Sequence, residues 1–155
     1  MKITVTRKVN APAVGLWSYL ADFSNIHRFH PFVKDSFFIN GSNSTDVGSA
    51  RQCNFKDGSE FKETITEWNE GSNYSLVAED STGRLKSAKA TVGVKVIDSE
   101  SSEVYMSVDM IPANKIMQPI MYLTFKNKVM PAILKGLEEI YNKEQKVHSK
   151  VELVS

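Results

Sequence analysis

Apolar and polar residues alternate through the middle of the chain. In VYMSVDMI, Val104, Met106, Val108 and Met110 fall on one face, with Tyr105, Ser107 and Asp109 on the other. AKATVGVKVI does the same with Ala88, Ala90, Val92, Val94 and Val96. This period of two is the signature of strands with one buried face. Turn clusters separate the runs: NGSNST at 40–45, KDGSE at 56–60, NEGSN at 69–73, DSTGR at 80–84 and DSESS at 98–102. Connections this short join antiparallel neighbours, because parallel pairing needs a long crossover. The amino end, MKITVTRKV, reads as one more strand.

Two segments follow a helical period instead. After the first strand, Asn10 is a good helix cap, and Pro12 sits where its missing N–H costs nothing. Leu16, Trp17, Leu20 and Ala21 then recur at helical spacing. Asp22 or Ser24 can cap a second short helix over NIHRF, which Pro31 ends. From about Pro119 to Lys143 the stripe Met130, Ile133, Leu134, Leu137, Ile140 and Tyr141 predicts a long helix. Pro131 should kink it or mark a junction between two helices. The order is strand, two short helices, six strands and one long helix. This is an α+β chain in which a bent antiparallel sheet buries one face against a helix. If the sheet curls enough, the helix cannot fill the concavity and a pocket remains.

Length and charge narrow the class. A chain of 155 residues is one domain with a sizeable core. The domain is expected over 1–146, with residues 147–155 (KVHSKVELVS without its first residue) as a tail that frays or packs as a short extension. A net charge of +1 gives no large field to draw nucleic acid. The amino end carries no apolar signal segment, and no run approaches the roughly 20 apolar residues of a membrane span. The single cysteine, Cys53, permits no internal disulfide. Together these read as a soluble cytoplasmic protein, a monomer or weak homodimer.

At this point the chain resembles a known family. VNAPAVGLWSYLADFSNIHRFHPFV (9–33), VGSARQCNFKDGSEFKETITEWNEG (47–71) and EVYMSVDMIP (103–112) resemble the START/pollen-allergen (SRPBCC) superfamily, in its polyketide cyclase/dehydrase-like branch. The resemblance implies the helix-grip fold: a curved seven-stranded antiparallel sheet around a long C-terminal helix, enclosing a deep apolar cavity. Members bind lipids, sterols, polyketides, plant hormones or quinones. A minority catalyse cyclisation or dehydration. The family shares no catalytic residue set, and no cofactor is implied.

The candidate chemistry starts at FSNIHRFHP (23–31). His27 and His30, three apart on a short helix, have the spacing of a metal pair. A zinc site needs further ligands, and only Cys53 and His148 offer soft donors, neither at a useful spacing, so no metal is expected. The alternatives are that Ile26, Phe29 and Phe32 close one end of the core, or that one histidine at a pocket mouth bonds a ligand oxygen.

Arg51 and Glu63 flank the KDGSE turn in a hairpin. A loop with an odd number of residues pairs Phe55 with Phe61, Cys53 with Glu63 and Arg51 with Ile65, leaving Arg51, Cys53, Phe55 and Glu63 on one face. An even loop turns Glu63 away. The odd register, preferred for its paired phenylalanines, makes Arg51 and Glu63 diagonal neighbours. The pair is then either a costly charged group inside an apolar concavity or a solvated pair on the outer face.

With the inward positions of the strands, the candidate ligand-binding set is His30, Phe32, Arg51, Cys53, Phe55, Glu63, Ile65 and Leu76, then Val92, Val94, Met106 and Val108. The long helix adds Met121, Phe125, Ile133 and Leu137. Methionine adapts its shape to a ligand, and Met106, Met110, Met117, Met121 and Met130 concentrate in the last strand and final helix. The expected partner is a small hydrophobic molecule, of lipid, polyketide or aromatic type. The alternative is a cyclase/dehydrase-type enzyme in the same cavity, with Arg51 polarising a carbonyl and His30 or Glu63 moving a proton.

Overall fold

A computed structural model describes residues 1–154. Strand β1 (Lys2–Val9) leads into helix α1 (Ala13–Ala21) and a 3₁₀ segment (Phe23–Arg28). Six strands follow: β2 (Val33–Ile39), β3 (Ala50–Phe55), β4 (Glu60–Asn69), β5 (Asn73–Asp80), β6 (Leu85–Val96) and β7 (Ser102–Pro112). They form one antiparallel sheet of seven strands in the order β1-β7-β6-β5-β4-β3-β2. The first two strands therefore lie on opposite edges. α1 and the 3₁₀ segment must cross one end of the sheet to connect them, and they close that end. Bulges between Val33 and Asp35, Ile65 and Glu67, and Leu85 and Ser87 add bend to three strands. The result is the helix-grip architecture.

The carboxyl-terminal helix starts as α2 (Gln118–Thr124), passes through a π turn (Phe125–Val129) and continues as α3 (Met130–Val154). The Met130 N–H reaches back to the Phe125 carbonyl. Pro131 explains the position of this wider turn. It has no N–H to donate, so the helix loosens just before it rather than holding a regular ladder. The expected stripe is buried at Met130, Ile133, Leu134 and Leu137. α3 continues past position 147 to Val154 as a helical extension whose last turns are exposed, and Ser155 lies outside the described residues. Arg28 and Tyr19 both bond the Glu144 carboxylate, which ties this end of the helix to α1 and the 3₁₀ segment.

Two local readings are corrected. Asn10 caps nothing: α1 begins at Ala13, with Pro12 as the residue before it and the Pro12 carbonyl accepting from Gly15 and Leu16. Asp22 does precede the 3₁₀ segment, but its carboxylate accepts from the Asn25 side chain at 2.9 Å rather than from a backbone N–H. The hairpin register also differs. Arg51 pairs with Glu63 and Cys53 with Phe61. The loop is the three residues Lys56 to Gly58, closed by the Phe55 N–H on the Ser59 carbonyl at 2.8 Å. Gly58, at φ 91°, supplies the left-handed residue that such a loop needs. The expected five-residue loop has the same parity. Every side chain therefore keeps its face while the pairing slides by two.

The core divides into two clusters. The larger fills the closed end, where Trp17, Phe23 and Tyr74 pack with Leu16, Leu20 and Ile26. Trp68 stacks on Tyr74 with centroids 5.2 Å apart, and the indole N–H groups of Trp17 and Trp68 both donate to Glu70. The smaller gathers Ile3, Ala88, Val108, Met110 and Met130. Helix α3 lies so close to the closed end that a Cβ on Gly136 would sit 2.1 Å from the Phe29 carbonyl oxygen. In an ordinary helix interior Gly→Ala stabilises by about 1 kcal/mol. Here Gly136→Ala should instead destabilise by about 1–3 kcal/mol, because backbone must shift to admit the methyl group. Urea unfolding of the two proteins checks the sign.

Candidate ligand cavity

Away from the closed end the groove is not filled. A cavity of about 800 Å³ lies between the sheet and the carboxyl-terminal helix. Its floor is Leu76 and Ala78 from β5, Ala88 and Ala90 from β6, and Met106 and Val108 from β7. Its roof is Met117, Ile120, Met121, Phe125, Val129, Met130 and Ile133. At one end stand His30, Phe32, Phe55, Phe61 and Glu63. Lys56, Asp57, Arg84 and Asn114, all exposed, mark the opening between the turns.

The residues expected at such a site separate into two groups. His30, Phe32, Phe55, Glu63, Leu76, Met106, Val108, Met121, Phe125 and Ile133 line the void. Cys53, Ile65, Val92, Val94 and Leu137 do not; they pack in the core of the closed end, where α1 and the 3₁₀ segment fill the same groove. Arg51 also stands apart from the wall. Phe61, Ala78, Ala88, Ala90 and Val129 line the void without having been in the expected set, and so do Met117 and Met130, to which only the methionine pattern pointed. The alanines carried a signal. Ala78, Ala88 and Ala90 are small residues at inward strand positions, and small inward residues leave space.

Arg51 is only 2% exposed, and its guanidinium is fully engaged. Its Nε and Nη2 donate to Glu63 Oε2 at 2.7 and 2.5 Å, and Nη1 donates to the Phe23 carbonyl at 2.7 Å. The Phe23 ring lies 3.9 Å from the guanidinium carbon. Burial alone would lower the Arg51 pKa, but the Glu63 carboxylate outweighs it and holds the group above its ordinary value. So the expectation that Arg51 meets a ligand is corrected. The arginine points inward, but it lies behind Glu63, and Glu63 is the member of the pair that reaches the cavity. Cys53 is buried beside them, and its thiol donates to Glu63 at 3.7 Å. Burial and then the neighbouring carboxylate push that thiol up, away from thiolate chemistry.

The two histidines enter different surroundings. His27 is exposed and its Nδ1 lies 2.8 Å from Ser36 Oγ. Ser36 spends its own hydroxyl hydrogen on the Ser24 carbonyl. His30 is 8% exposed and lines the cavity, with its ring 5.5 Å from Phe55 and 6.1 Å from Phe32. Its Nδ1 accepts from the Phe32 N–H, so the neutral ring carries its proton on Nε2. Burial first, and Arg51 next among the lowering influences, brings the His30 pKa down to about 4, against a smaller opposing pull from Glu63. Among the described residues no group of three or more histidine, cysteine or acidic side chains is placed to hold a metal ion. No helix there is long and apolar enough to cross a membrane.

Comparison with known proteins places this geometry. The family described as polyketide cyclase/dehydrase and lipid transport matches over residues 1–141. The chain belongs to that family. A search of curated proteins by sequence finds no match. Among solved structures, the XoxI protein of Bacillus cereus superposes with a TM-score of 0.78 at 16% identity, covering 93% of this chain and 97% of that one. A START superfamily protein from Mycobacterium smegmatis gives 0.77 at 13% identity, covering 92% and 96%. Norcoclaurine synthase from Thalictrum flavum, solved with a transition-state analogue, gives 0.69 at 14% identity, covering 94% and 96%. At these identities the likeness is one of fold.

Two outcomes test the site's electrostatics. Arg51→Met leaves the Glu63 carboxylate without its cation and should destabilise the protein by about 3–5 kcal/mol. Adding Glu63→Gln should recover much of that loss, as a urea-unfolding double-mutant cycle would show. The second concerns pH. With the folded His30 at about 4 and an unfolded histidine near 6.5, the unfolded state binds the extra proton between those values. Stability should therefore fall as pH drops through that window. In His30→Gln the slope should be shallower by up to one proton, measured by unfolding across the same range.

Proposed function

We propose that this protein binds one small, largely apolar molecule in the cavity between the sheet and the carboxyl-terminal helix. The observation that carries this reading is the void itself. A space of about 800 Å³ has the size of a small-molecule site, and its floor and roof are aliphatic, aromatic and methionine side chains. An apolar space of this size gains stability when an apolar molecule replaces water in it. Membership of a family described by cyclase, dehydrase and lipid-transport activities supports the same reading.

The methionines fit a site that accommodates variation in ligand shape. Met106 rises from the floor, and Met117, Met121 and Met130 descend from the roof. Unbranched and polarizable, they repack around a guest at low cost.

A neutral apolar fluorophore such as Nile red should bind saturably with one site per chain. Ala90→Trp places an indole in the middle of the floor and should weaken that binding at least about tenfold, a change of about 1.4 kcal/mol. The variant should still unfold cooperatively. An absence of saturable binding to the parent, or full binding by a folded Ala90→Trp protein, would refute the reading. Native mass spectrometry of protein purified from its own host should show a bound molecule and give its mass.

A further inference from the structure

The polar end of the cavity is unlike the rest of its wall. His30 and Glu63 stand there within a collar of Phe32, Phe55 and Phe61. The Phe55 and Phe61 rings are 5.1 Å apart. Each polar residue has one atom engaged with protein and one atom left over. Glu63 Oε2 takes all the bonds from Arg51 and Cys53, and Oε1 has no partner. His30 Nδ1 is held by the Phe32 backbone, and Nε2 has no partner. Neither leftover atom is a sealed orphan: no polar side-chain atom of a non-exposed residue is both fully inaccessible and unbonded. Both residues line the cavity, which is therefore an accessible space beside these atoms.

Resting on the binding role proposed above, we propose that His30 and Glu63 recognise a neutral hydroxyl group, an alcohol or phenol, on an otherwise apolar ligand. A hydroxyl is one donor and one acceptor on a single oxygen. The Glu63 Oε1 atom accepts the hydroxyl hydrogen, and the His30 Nε2–H donates to the hydroxyl oxygen. Burial keeps that imidazole neutral at ordinary pH, so it offers one fixed donor rather than a mobile charge. The bond to the carboxylate is charge-assisted, the stronger kind.

The same geometry selects against two neighbouring chemistries. A hydrocarbon end would leave both atoms desolvated and unpaired, which costs more than the bonds would gain. A carboxylate end would meet the Glu63 anion first. Arg51 does not relieve this, because it is buried behind Glu63 with its guanidinium engaged there and on Phe23. The three phenylalanines suit a flat or aromatic body just inside the hydroxyl.

The test is displacement of bound Nile red at neutral pH by three compounds that share one body: para-octylphenol, octylbenzene and para-octylbenzoate. The phenol should bind about ten- to a hundred-fold more tightly than the hydrocarbon, and the benzoate most weakly. His30→Phe should cut the phenol's advantage over octylbenzene at least about tenfold, because it removes the donor to the phenol and relieves the unpaired N–H that the hydrocarbon would bury. His30→Gln, which keeps an N–H, should restore part of the difference, and thermal unfolding checks that both variants fold. Equal affinity for phenol and hydrocarbon, or a benzoate as tight as the phenol, would overturn the hydroxyl assignment while leaving apolar binding intact. Failure of all three to displace a bound probe would overturn the cavity reading along with it.

Discussion

One helix cannot cover the concave face of a seven-stranded sheet. Strands spaced about 4.8 Å apart make a sheet roughly 29 Å wide, whereas a helix with its side chains is only about 10 Å across. The rest of the molecule follows from how that excess is handled. At one end α1 and the 3₁₀ segment cross between the outermost strands and deliver Leu16, Trp17, Phe23 and Ile26 into the groove. At the other end no such element lies among the described residues, and the inward strand positions carry Ala78, Ala88 and Ala90 rather than larger residues. The same groove is thus a packed core at one end and a void at the other.

The Arg51–Glu63 pair sits on the boundary between these regions. Arg51 is committed to the packed side through the Phe23 carbonyl and ring. Glu63 takes the charge and is the member of the pair that lines the void. Burying an arginine this deeply is favourable only with such full engagement. What reaches the cavity is therefore an acceptor, not the cation that the sequence pattern brings to mind. His30 arrives beside it just past the end of the 3₁₀ segment at Arg28, where the Phe32 backbone N–H holds the imidazole.

The architecture was legible because each element carries its own period. The strands of 88–94 and 104–110 and the helix stripe from Met130 to Leu137 bury the faces their patterns predict, while Val96, at the end of its strand, is exposed. The hairpin at 56–58 was only half legible. Parity decides which face a side chain takes, and a slide of two residues preserves parity, so the faces were right and the partners wrong. The role of Arg51 was not legible, since it depends on Phe23, which reaches it through the crossing segment rather than through local sequence. The continuation of the helix beyond Lys143 was not legible either, because its last turns bury no face against the sheet. Binding sites are the hardest part to read in this fold, because core and cavity share one inward pattern and differ only in what another element brings to cover it.

The methionine methyl groups test the central claim directly. The chain has six methionines. Met106, Met117, Met121 and Met130 line the cavity; Met110, buried in the smaller core cluster behind its wall, and Met1 do not. With methyl-labelled methionine, titration of an apolar ligand should shift the four cavity resonances together, saturating at one equivalent, and shift Met110 and Met1 less. Ligand binding that moves Met110 or Met1 and leaves the four unmoved would put the site elsewhere and contradict the account.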